Sequence, residues 1–185
     1  MSDAALRTQI SALLSWPDAH ARFDEAVKGV PAKMRGIAPA GLPYSLWQLL
    51  EHIRFTQADI LEFCVSRRYR TKKWPGDYWP SAAAPGDAQA WTLAIRGVRA
   101  DRAALQRLTR DPSVDLFAPI PHGSGQTYLR ELLLVPITRP IMSASSSSFG
   151  DCSASGNSWG LGTGDWGDWE LRIRPAPSPQ ASSPR

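Results

Sequence analysis

Cysteine is scarce in this chain. Cys64 and Cys152 are its two cysteines among 185 residues, in unlike contexts, which excludes both a disulfide framework and a paired-cysteine metal knuckle. Long apolar runs are missing as well, and no window approaches the length of a membrane span. The opening MSDAALRTQISALLSW has an early acid, Asp3, a broken apolar run and no small-residue cleavage site, so it does not read as a signal peptide. An excess of one charge is lacking too. The net charge of +4 comes from 21 basic and 17 acidic residues. Lys and Arg are scattered over the first 135 residues, a balance that suggests solubility and not a dedicated polyanion binder. A cytoplasmic protein without a membrane partner is the expectation.

Proline (16) and glycine (14) are plentiful, while apolar residues make up 43%. Part of the chain is therefore not expected to form core. The rest reads as helical. Leu6, Ile10, Leu13 and Leu14 share a face over residues 5–14, and Pro17 suits the first turn of a second helix over 17–29, ended by Gly29 and Pro31. The clearest helix covers 45–65. Ser45 and Gln48 make a capping box there, and Leu46, Leu49, Leu50, Ile53, Ile60, Leu61 and Cys64 recur at helical spacing. A loop, RRYRTKKWPGDYWPSAAAPGD, follows, and its Trp74, Tyr78 and Trp79 are expected to lie against the domain. A third long helix runs from about 87 to 111 with Trp91, Ile95, Val98, Leu105 and Leu108 inward. Thr127 then caps the helix that begins YLRELLLV.

From residue 136 the pattern vanishes. Serine, glycine and proline supply 23 of the final 50 residues, a composition that cannot bury enough apolar surface to offset its ordering entropy. The domain reading is accordingly a helical unit over 1–135 and a low-complexity tail, irregular or disordered, over 136–185.

Three stretches, LPYSLWQLLEHIRFTQADILEF, WPGDYWP and HGSGQTYLRELLLV, together resemble the DinB-like family of bacterial proteins over roughly residues 5–135. The resemblance implies an all-α fold, an antiparallel four-helix bundle. Relatives implied by it include metal-dependent thiol transferases and mycothiol-dependent isomerases. It further implies a divalent metal, Zn or Ni, held by three histidines: one on the second long helix, matched by His52, and two on the last helix in a pattern Asp-His-x-x-Tyr-His-x-Gly-Gln. Two imidazoles four residues apart share a helix face, and a third from a facing helix leaves a coordination position open for water or thiolate. The second and third histidines belong immediately after Val135, and they are absent.

A reading-frame shift from about Pro136 accounts for that loss. If each codon is the last base of one residue plus the first two of the next, Ile137 and Thr138 allow Asp then His, and Ile141 and Met142 allow Tyr then His. Ala144 allows Gly, and Ser145 written with an AG codon allows Gln. Serine codons beginning TC become codons for Leu, Val, Ile or Phe, so Ser146, Ser147 and Ser148 turn into an aliphatic run such as a bundle's last helix requires. On this expectation residues 136–185 replace the second half of the final helix, the metal is not retained, and the chain is marginally stable.

Other signals have blander readings. His20 is a helix-surface or half-buried residue. His122, beside Pro121, is read as a turn residue in a Gly-rich loop. The run Arg67, Arg68, Arg70, Lys72 and Lys73, interleaved with Tyr69 and Trp74, superficially suggests nucleic acid, but cations just beyond a helix C-terminus answer the helix dipole. HGSGQT is no phosphate loop, because the paired Lys-Ser/Thr of a Walker motif is missing. Ser124 has no nucleophile context, and Cys64 falls on an apolar stripe.

Three functions follow for testing. The first is a DinB-like protein with an incomplete metal site and no catalysis. The second is an active metal-dependent thiol transferase or hydrolase, in which Asp59 or His122 would have to join His52. The third is a non-enzymatic binding module using the aromatic loop at 74–79. Partners under these readings are a second copy of the chain, or a low-molecular-weight thiol or other small molecule for an active enzyme.

Overall fold

The computed structural model describes residues 3–15, 23–39 and 42–137. The expectations for the tail beyond residue 137, and for the helix start at Pro17, lie outside those residues. Among the described residues the chain is all-helical. Its elements are α1 (Asp3–Ser15), α2 (Phe23–Val27), α3 (Leu46–Val65), α4 (Ala88–Arg110) and α5 (Tyr128–Ile137), with 3₁₀ turns at Ala32–Met34 and Gly76–Tyr78. No strand occurs among them, only an isolated bridge between Pro119 and Thr127. No helix of the described residues is long and apolar enough to cross a membrane.

The helix ends are set by local chemistry. Ser45 Oγ accepts from the Gln48 amide at 3.1 Å while the Gln48 side chain accepts from the Ser45 amide at 3.0 Å, the reciprocal box that satisfies two orphan donors of α3. Asp87 accepts from the Ala90 amide at 2.6 Å to start α4, and Thr127 Oγ1 accepts from Arg130 at 3.2 Å to start α5. Gly29, at φ +72°, takes the left-handed conformation just past α2. The end of α4 depends on another helix. Arg7 of α1 donates to the carbonyls of Thr109 (3.0 Å), Asp111 (2.8 Å) and Val114 (2.6 Å), oxygens that have no helical partner.

α3 packs against α4 and α5, and α1 packs against the same two helices. The core divides along α3. Toward its start, Phe23 and Val27 of α2 meet Leu46, Trp47, Leu49, Leu50 and Ile53 of α3 and Trp91, Ala94 and Val98 of α4. Toward its end, Ile60 and Cys64 meet Ile10 and Leu14 of α1, Leu105 of α4, Leu116 and Ile120 of the connector, and Leu132 and Val135 of α5. Between the two lies Gln57, 1% exposed on the apolar stripe of α3, with no hydrogen-bond partner for its Oε1 among the described residues. The apolar pattern passes over this position, whereas Leu61, expected on the stripe, is only partly buried. α5 runs to Ile137 with Pro136 inside it, two residues past the point where the apolar pattern stops.

Candidate functional site

His52 sits on the buried face of α3, where the loop after that helix folds back over it. Its Nδ1 lies 2.9 Å from the backbone oxygen of Tyr78. A carbonyl only accepts, so Nδ1 carries the proton and Nε2 carries the lone pair. Trp79 stacks on the imidazole with centroids 4.0 Å apart and planes 5° apart, and Tyr44 stacks on the other face of Trp79 at 3.8 Å. Trp74 meets the imidazole edge-on at 6.2 Å. Burial lowers the His52 pKa below its ordinary value, and the Tyr78 carbonyl only partly offsets this. The ring is therefore neutral at pH 7.

The loop is tied to α3 a second time, two turns further on. Asp59 accepts from the Tyr78 hydroxyl at 2.6 Å and from Lys72 Nζ at 3.0 Å. Lys72 also approaches Glu62 at 3.6 Å. Burial and then Asp59 push the Tyr69 phenol up to about 12 and raise Tyr78 further still. The expectation that the loop aromatics lie against the domain holds for Tyr78 and Trp79, while Trp74 remains 49% exposed. One of the basic residues read as dipole-answering cations, Lys72, uses its charge for something more specific, and the backbone of its neighbour closes the loop on itself. Lys72 bonds Asp59, and the Lys73 amide bonds Asp77 at 2.7 Å within the loop.

The other sequence candidates fall elsewhere or are already engaged. His122 is exposed and meets Phe63 edge-on at 5.2 Å and Tyr69 at 6.0 Å, toward the end of α3. Cys64 is buried in the core, where burial first and Glu131 second push its thiol up to about 12, which keeps it in the weakly nucleophilic thiol form at neutral pH. Glu131 of α5 is itself buried beside Arg130, and burial raises its pKa. His20 lies outside the described residues. A separate cleft of about 470 Å³ between α2 and α4, lined by Asp24, Lys28, Arg96 and Arg99 among others, shares no residue with the His52 site.

Among the described residues no three His, Cys, Asp or Glu side chains come together as a metal-binding group. The described residues thus bring together no three-histidine centre: His52 supplies one imidazole, and Asp59 is taken up by Lys72 and Tyr78. The Tyr78 carbonyl that orients His52 was not legible in the sequence, because a backbone acceptor leaves no residue-type signal. Comparison with protein-family models, curated proteins and solved structures finds no match to the chain.

Proposed function

We propose that this chain is a DinB-like four-helix-bundle protein whose three-histidine metal site is incomplete, and that it lacks the family's metal-dependent catalysis. The carrying observation is His52. It is buried and neutral, with Nδ1–H spent on a backbone carbonyl and Nε2 left with its lone pair, the state in which a metal-ligating imidazole is held. The positions where the resemblance puts the second and third ligands, 138 and 142, hold Thr and Met. The mutual packing of α1 and α3 on α4 and α5 supports the bundle reading. α5 packs into the core cluster at the far end of α3 and not into the one that holds Leu50 and Ile53, which fits a last helix whose native continuation is missing.

The frame reading belongs to the same proposal. The nucleotide sequence around codon 136 decides it: a stop in the alternative frame, or the lack of His codons at 138 and 142, ends the idea. Protein chemistry gives a second test. After extensive dialysis this chain should hold far less than one equivalent of Zn or Ni, and a chain carrying the alternative frame from codon 136 should hold about one. Stoichiometric metal on the present chain, lost in His52→Ala, would favour the active-enzyme reading instead. The binding-module reading has less support, since Trp79 is sandwiched between Tyr44 and His52 and is not a free docking ring.

A further inference from the structure

His52 and Asp59 do not touch, yet one residue reaches both. Seven positions apart on α3, they are two helical turns and about 10 Å of axial rise from one another on one face. Tyr78 bridges that span. Its backbone carbonyl accepts from His52 Nδ1 at 2.9 Å, and its hydroxyl donates to Asp59 at 2.6 Å. Asp59 is 8% exposed and receives Lys72 from the same loop, so two loop side chains converge on one carboxylate.

The stack with Trp79 cannot set the tautomer. Two parallel rings 4.0 Å apart fix the plane of the imidazole. A half-turn of the ring about its bond to Cβ, which moves Nδ1 away from the carbonyl, leaves that plane and most of the contact area unchanged. An unconstrained histidine prefers the proton on Nε2. Only the placement of the Tyr78 carbonyl favours the opposite form. That placement needs the loop to keep its register along α3, and its side-chain anchor on the helix is Asp59.

We infer that Asp59 is a positioning residue for His52: by holding the Tyr78 hydroxyl it keeps the Tyr78 carbonyl on Nδ1–H and presents Nε2 as the free electron pair of the site. The inference rests on the reading of His52 as the site's imidazole, but it concerns a proton position that exists without any metal.

The test is ¹⁵N NMR of the full chain with labelled histidine, after treatment with chelator, at a pH above 7. Long-range ¹H–¹⁵N correlations distinguish the two tautomers, and His52→Gln identifies the His52 signals. The wild-type chain should show His52 as the Nδ1–H form. Tyr78→Phe, which removes only the hydroxyl and leaves the backbone carbonyl in the chain, should move the majority population to Nε2–H, as should Asp59→Ala. Asp59→Asn still accepts the phenol proton and should retain the wild-type form. A wild-type ring already protonated on Nε2 would overturn the inference. So would an unchanged Nδ1–H form in folded Tyr78→Phe, which also decides the matter if Asp59→Ala does not fold. Tightly held metal in the untreated chain would defeat the functional proposal and leave this result intact.

Discussion

An imidazole stripped of water holds its proton less firmly, and that makes His52 a contributor to the pH dependence of folding. Its folded pKa lies below the ordinary 6.5, with burial as the main cause. On acidification the unfolded chain therefore takes up the proton first. The stability due to neutral His52 is complete above about pH 6.5 and is lost as pH falls through the lowered folded value. Asp101 and Glu131 act with the opposite sign. Burial raises both, so their charged forms cost stability as pH rises through their folded values, and acidification relieves that cost. Taking urea midpoints from pH 7.5 to 5.5, the wild-type chain should change less favourably than His52→Gln, in which the Asp101 and Glu131 contributions remain; equal changes would refute the assignment. Cys64 offers a second check. A rise from 9.0 to about 12 leaves roughly a thousandth of the ordinary thiolate. An aromatic disulfide reagent at pH 8 should react with this thiol on the timescale of unfolding, and fast labelling of Cys64 in the native chain would contradict the burial.

Helices in this protein start where short-range chemistry says they should, and their stripes are less uniform than spacing implies. The Ser45 and Gln48 box predicts that Ser45→Ala lowers stability by about 1 kcal/mol, with a further loss because the Ser45 hydroxyl also donates to the Ala83 carbonyl; a change within error in chemical denaturation would show the cap to be idle. Gln57 carries the opposite expectation. Its buried Oε1 has no partner among the described residues, and an unsatisfied buried acceptor costs about 1 to 3 kcal/mol. Gln57→Leu should therefore raise the unfolding midpoint, and a fall would mean that the amide has a partner the fold depends on. Caps were legible in the sequence because both partners lie within one turn of each other. Gln57 was not, since an apolar stripe tolerates one polar residue without losing its period, and only the packing of α3 against its neighbours shows that the position is buried.

For the molecule as a whole, the length of α5 matters most. Leu132 and Val135 are buried in the core cluster at the end of α3, and each further aliphatic on a continued helix would add roughly 1.5 to 3 kcal/mol. Several such residues compare with the ~5 to 15 kcal/mol that a domain has to spare. On the proposed frame reading the chain is expected to melt below about 60 °C, and a chain carrying the alternative frame from codon 136 at least ~10 °C higher; a sharp transition of the present chain above 60 °C, or no gain in the other, would contradict that proposal in calorimetry. What the sequence by itself determined is the helical character and three helix starts, which follow from periodicity and from side chains acting within a few residues. The orientation of His52 was decided only in three dimensions. Its carbonyl partner lies 26 positions away and the carboxylate holding that partner 19 positions from it. Spacing along a helix predicts which residues share its face, but it carries no information about which loop atom will come to rest against them.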